Sequence, residues 1–190
     1  MTKLITGWKV DDVIDWRGPY GVDECERIQK VSFKWNGWSH LEWLSVSRCA
    51  AFEKLILVAG GTGIAPFIRI VEDILIHDKD VIVRLVYCVP TVEQAIYREK
   101  MARWGQHWNV KIVLYVSKEG EHAEELPHLL KWKNNRLDEA GFSEEFNFFK
   151  SSSLEKIGIA VCGQATLEKD VMNWAKKIGV PGDNIIRFPP

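Results

Sequence analysis

Leu55-Ile56-Leu57-Val58-Ala59-Gly60-Gly61-Thr62-Gly63-Ile64-Ala65-Pro66 is the stretch on which the fold turns. Its first five residues are apolar without alternation, as in a strand buried on both faces of a parallel sheet. The glycines then break the run, and Pro66 opens an apolar-periodic segment from Phe67 to Ile76. Proline suits a first helical turn, where its missing N–H had no partner. The stretch therefore predicts a strand, a tight turn and a helix.

The same alternation continues downstream. Val81 to Tyr87 is rich in β-branched residues and predicts a second strand. Val92 to Trp104 predicts a helix with Glu93, Arg98 and Arg103 on its polar positions, and Val110 to Val116 a third strand. Ile157 to Val161 predicts a fourth strand, followed by a helix from Ala165 to Ile178. Strand–helix alternation at this spacing predicts an α/β domain with a doubly wound parallel sheet over residues 54–190. Lys118 to Lys156 interrupts the pattern with a long polar segment and one short helix around Ser143 to Phe149. Residues 1–53 differ again. Val10 to Trp16 predicts a strand closed by the turn Gly18-Pro19-Tyr20-Gly21. Trp35, Trp38 and Trp43 follow with no clean period, as core packing or as a patch for a partner.

Composition narrows the function classes. Hydrophobic residues make up 46% and charged residues 27% of the 190, as in a globular protein. With 25 basic and 26 acidic residues, the chain lacks the basic excess that nucleic acid binding requires. Cys25, Cys49, Cys88 and Cys162 form no CxxC pair, which argues against a zinc site or a disulfide framework and for a reducing, intracellular setting. The first residues carry no long apolar run, so no membrane segment is expected, and the location is cytoplasmic or peripheral to a membrane. His122 and His128, near Glu121 and Glu124, lack helical i, i+4 spacing and are expected in a solvated loop, with no metal bound. A hydrolase Gly-x-Ser-x-Gly elbow and a triphosphatase phosphate loop are both missing.

In an open parallel sheet, ligands bind at the carboxyl ends of the strands. Gly60, Gly61, Thr62 and Gly63 occupy such an end. Glycines let a phosphate or ring approach the main chain, and the next helix offers free N–H groups to an anion. The Thr62 hydroxyl adds a side-chain donor. The plainer alternative is an ordinary strand-to-helix turn. Cys162-Gly163-Gln164-Ala165 ends the fourth strand and is expected to face the first loop across a crevice. A thiol there can pack on a nicotinamide ring or serve as a buried core cysteine. Ser117 and Lys118 end the third strand, where lysine can meet a phosphate as a point charge or face solvent.

The motifs also carry a resemblance. Ala59-Gly60-Gly61-Thr62-Gly63-Ile64-Ala65-Pro66 resembles the GGTG-[IL]-x-P signature of the ferredoxin–NADP reductase superfamily, and Cys162-Gly163 the start of its CGPxxM-type motif. Trp16-Arg17-Gly18-Pro19-Tyr20-Gly21 is similar to the stretch that ends the family's FAD-binding barrel. Thr91 and Arg98 fall on the T-x-x-[DE]-[IL]-x-x-R pattern of the NADH–cytochrome b5 reductase-like proteins, which the chain resembles most. The resemblance implies a ferredoxin reductase-type NAD-binding domain over residues 54–190, preceded by a truncated remnant of an antiparallel FAD-binding β-barrel in residues 1–53. It implies a relay in which NADH gives hydride to FAD, which passes single electrons to a haem protein such as cytochrome b5.

By motif match, Gly60, Gly61, Thr62, Gly63, Pro66, Thr91, Ser117, Cys162, Gly163 and Phe188 are expected to bind cofactor. Thr62 and Cys162 are expected nearest the hydride, and Phe188 near the flavin. Ser117-Lys118 stands where NADP-specific relatives place Ser-Arg, but the acids at Glu119, Glu121, Glu124 and Glu125 favour NADH over NADPH. The R-x-[YF]-[ST] motif that grips FAD is absent, Gln164-Ala165 departs from the family's prolines, and Val22 to Phe52 exceeds the usual link. An N-terminally truncated or incomplete product is the expectation. A dinucleotide-binding module that transfers nothing by itself is the alternative.

Overall fold

From Lys54 to Ala59 every residue of the central strand is buried. In the computed structural model, which describes residues 34–35, 38–39, 52–77, 80–118, 130–149 and 153–188, that strand is the third in chain order. Strands β1 (Lys34–Trp35) and β2 (Trp38–Ser39) pair with each other, antiparallel, with Trp35 opposite Trp38. The expected strand at Val10 to Trp16, its closing turn, most of the stretch 1–53 expected as a barrel remnant, and His122 and His128 lie outside the described residues.

Strands β3 (Lys54–Gly60), β4 (Ile82–Val89), β5 (Val110–Val116), β6 (Lys131–Lys133), β7 (Ile157–Cys162) and β8 (Ile185–Arg187) form one sheet. Its order is β6-β5-β4-β3-β7-β8, and every neighbouring pair is parallel. The chain builds outward from β3 to β6, then crosses to the other side of β3 for β7 and β8. That reversal makes a switch point between β3 and β7.

Helices α1 (Ala65–Ile76) and α2 (Arg98–Trp104) cover one face, and α3 (Glu139–Asn147) and α4 (Ala165–Ile178) the other. Leu55, Leu57 and Ala59 pack with Phe67, Ile70 and Met101, while Ile56 and Val58 pack with Phe142, Val171 and Ala175. Successive strand residues point to opposite faces, so two covered faces demand an unbroken apolar run. The α/β fold with a doubly wound parallel sheet expected over residues 54–190 is the observed one.

Three details depart from the sequence reading. The helix expected from Val92 to Trp104 is broken into a short turn at Val92–Gln94 and α2, with Tyr97 between them at φ 62°. The backbone of Ile96 bonds to the Tyr87 side chain instead, which takes the chain off the helical path. The helix expected around Ser143 begins earlier, at Glu139, because the Asp138 carboxylate accepts the Gly141 N–H at 2.7 Å. The edge strands β6 and β8, three residues each, were not expected.

A buried charge cluster fastens α3 and β6 to the sheet. Glu145 of α3, 2% exposed, accepts from Arg84 Nε at 2.7 Å, Lys133 Nζ at 2.9 Å and the Tyr115 hydroxyl at 3.0 Å. Burial alone would raise its carboxyl, but the bonds from Lys133 and Arg84 hold it below the usual range. Burial pulls Lys133 down, and its bonds to Glu144, Glu145 and Tyr115 outweigh that and hold it above the usual lysine range. Among the described residues, no helix is long and apolar enough to cross a membrane.

Candidate functional site

The switch point opens into a crevice of about 910 Å³ along the carboxyl ends of the strands. Gly60, Gly61, Thr62 and Gly63 line it from β3, and Cys162, Gly163 and Gln164 from β7. Tyr87, Cys88 and Val89 at the end of β4, Ser117 and Lys118 after β5, and Arg136 after β6 continue the wall. The two loops expected to face each other do so.

They also touch. A Cβ on Gly63 would lie 2.2 Å from the Cys162 carbonyl oxygen, and one on Gly60 would meet the Leu167 side chain at 2.8 Å. Gly63 thus serves the contact between the loops. Gly61 is the reverse case: its φ of 55° suits glycine, and nothing lies within 4 Å of where its Cβ would stand. Gly61 leaves room for something other than the protein itself.

Helix α1 begins after this turn, and α4 after Gln164. Neither has a side-chain cap at its amino end, and α1 has no acidic residue in its first turn. The turn Gly61–Ile64 is itself a short 3-10 helix that runs into α1, where the Ala65 N–H bonds to the Thr62 carbonyl and Pro66 has no N–H. Any backbone N–H offered to an anion on this side therefore comes from the turn rather than from α1. The second loop is held from behind by Glu168, 1% exposed, which accepts the Gly163 N–H at 3.3 Å and pairs with Arg187 of β8.

Cys162 is 8% exposed and lines the crevice. Burial, and then the nearby Glu168 carboxylate, push its thiol up to about 11, so it stays protonated and a poor nucleophile at neutral pH. Burial pushes Cys88 up to about 12, against the pull of the Arg136 charge. Thr62 is exposed on the turn, and Ser117 at the opposite end of the crevice.

Three residues named from the motifs stand outside the crevice lining. Pro66 sits in the first turn of α1, and the Thr91 side chain hydrogen-bonds Glu93. Phe188 is 7% exposed and packs edge-on against Phe67, with ring centres 5.6 Å apart. Sequence reading missed Tyr87, Gln94, Arg136 and Leu167 as crevice residues. Tyr87 was within reach, because it lies near the end of a predicted strand. Arg136 follows an unpredicted strand and gave no signal. Among the described residues no group of three His, Cys, Asp or Glu could hold a metal ion.

The family model for the oxidoreductase NAD-binding domain matches residues 57–173, which run from β3 into α4 and include both crevice loops. The chain belongs to that family. NAD(H) is the family's dinucleotide. The chain is 26% identical over 191 residues to an NADH-cytochrome b5 reductase-like protein of Homo sapiens, an alignment of 99% of this chain and 52% of that protein. It therefore spans about half the length of the curated relatives it matches.

Among solved structures, the cytochrome b5 reductase domain of Ulva prolifera nitrate reductase superposes with TM-score 0.61 at 19% identity, covering 72% of this chain and 50% of that one. The flavohemoglobin of Malassezia yamatoensis with bound FAD and heme superposes with TM-score 0.56 at 13% identity, covering 73% of this chain and 32% of that one. Both share the fold of this NAD-binding domain.

Proposed function

We propose that the chain is the NAD(H)-binding part of a flavin-dependent oxidoreductase that passes electrons from NADH through FAD to a haem protein such as cytochrome b5. The observation that carries the reading is the open space at Gly61, at the switch point where the loops after β3 and β7 meet to line the crevice. A crevice of about 910 Å³ is roomy enough for a dinucleotide. The similarity to an NADH-cytochrome b5 reductase-like protein supports the electron acceptor.

In this reading Gly60, Gly61, Thr62 and Gly163 hold the diphosphate and nicotinamide end, Gly63 keeps the two loops in contact there, and Ser117 holds the adenosine end. Pro66 acts by starting α1, Thr91 by shaping the loop after β4, and Phe188 by supporting the flavin side from within the core. When bound, the nicotinamide supplies hydride and the flavin divides the electron pair. Thr62 orients the ring through its hydroxyl, and Cys162 packs a neutral thiol beside it. With its thiol raised to about 11, Cys162 excludes water and gives no covalent bond.

Cys162→Ser is expected to keep the fold and to slow hydride transfer roughly tenfold, about 1.4 kcal/mol of barrier, as read by stopped flow with bound FAD. A rate equal to the parent's makes Cys162 a core residue only. Gly61→Ala puts a methyl into the open space and is expected to weaken NADH binding at least about tenfold. Unchanged affinity in the folded variant removes the turn from the site.

The reading as a whole is tested by adding FAD to the purified chain and titrating with NADH without oxygen. A bound flavin spectrum that bleaches supports electron transfer by this chain. A colourless protein that still binds NADH leaves a dinucleotide-binding module that passes no electrons by itself.

A further inference from the structure

One hydroxyl in the crevice wall joins two separate loops. The ring of Tyr87 is fully buried on the α1 side of the sheet. Its hydroxyl donates to the Gly61 carbonyl at 3.0 Å and takes a hydrogen bond from the Ile96 backbone. Gly61 lies on the turn after β3 and Ile96 on the loop after β4, and all three residues line the crevice. Tyr87 pairs in register with Ala59, two residues before Gly61, so a side chain of tyrosine's length spans the gap. Phenylalanine would fill the same core volume and tie nothing.

We propose that Tyr87 is a positioning residue for the dinucleotide, whose hydroxyl pins the glycine turn to the loop after β4 so that the two hold one geometry. The peptide from Gly61 to Thr62 is planar and trans, so its carbonyl and its N–H point in opposite directions. Anchoring the Gly61 carbonyl on Tyr87 therefore fixes where the Thr62 N–H is aimed. It also steadies Gly61 at a φ of 55°, the conformation that keeps its open side toward the crevice. On the other loop, the bond at Ile96 holds the chain just before Tyr97, whose own φ of 62° is unusual for a residue with a side chain. Freed from the hydroxyl, both bends can relax, and the site must be ordered again each time a ligand binds.

The inference rests on the dinucleotide reading of the crevice, and Tyr87→Phe tests it. The variant is expected to bind NAD+ about tenfold more weakly by calorimetry, because one hydrogen-bonded tie is gone. Without ligand, its Ile96 amide and its Thr62 to Ile64 amides should exchange with solvent faster together, a readout that loss of core packing alone would not confine to those two loops. Affinity within about twofold of the parent, in a folded variant, overturns the proposal. If Tyr87→Phe does not fold, the parent decides. Its Ile96 and turn amides must gain protection in step as NAD+ is added, and independent protection overturns the tie. A parent that binds no NAD+ sinks the dinucleotide reading itself, while ligand-free exchange still decides whether the two loops are joined.

Discussion

Gly63→Val is expected to lower the melting temperature of the domain by roughly 6–12 °C, as overpacking of about 3 kcal/mol would in a chain of this size. The reason is the loop contact at the switch point. A Cβ on Gly63 would fall 2.2 Å from the Cys162 carbonyl oxygen and 2.6 Å from its carbonyl carbon, and both are backbone. No rotamer relieves such a contact, so the turn after β3 and the loop after β7 must move apart. The crevice is lost along with the stability. Gly61→Ala should behave differently, because only the strain of a left-handed residue opposes it, about 1–2 kcal/mol. Thermal melts of both variants, beside NADH titrations, separate the two roles. Equal losses of stability would mean that Gly63 is not the loop contact described.

Glu145→Ala is expected to destabilise the fold by about 3–5 kcal/mol, as removal of one partner from a buried ion pair does. Arg84 is left 13% exposed without its carboxylate, while Lys133 keeps Glu144 at 2.8 Å. Stability should also depend on acid. The Glu145 carboxyl is held below its ordinary value in the folded protein, so its contribution is full above about pH 4.3, the unfolded value, and disappears as pH falls through the folded one. Lys133, held above its ordinary value, contributes below about pH 10.4 and loses that contribution only as pH rises through its higher folded value. Denaturant melts of the parent and Glu145→Gln from neutral to acid pH should therefore converge on the acid side. A constant gap between them would show that the fold does not hold the Glu145 carboxyl below its unfolded value.

The sheet was legible because its strands are buried on both faces. Leu55 to Ala59 can hold five apolar residues in a row only if helices cover both sides, and the glycines after it can only be a turn. The uses of those glycines were not legible. Gly61 and Gly63 look alike in sequence, and only the position of Cys162, a hundred residues away along the chain, makes one a contact and the other an opening. The same limit hid the break before α2. Val92 to Trp104 has helical periodicity throughout, but the Tyr87 hydroxyl competes for the Ile96 amide, and that competition is tertiary. Strand β6 is too short for a pattern, so Arg136 behind it had no context. Pro66, Thr91 and Phe188 came from motif position alone, and a motif does not say whether a residue meets the ligand or supports one that does.

The most direct test of the central claim is a calorimetric titration of the purified chain with NADH, with the Gly61→Ala variant run beside it. The account predicts one saturable site in the parent and at least about tenfold weaker binding in the variant. A folded parent that takes up no NADH, or a variant that binds as tightly as the parent, would contradict it.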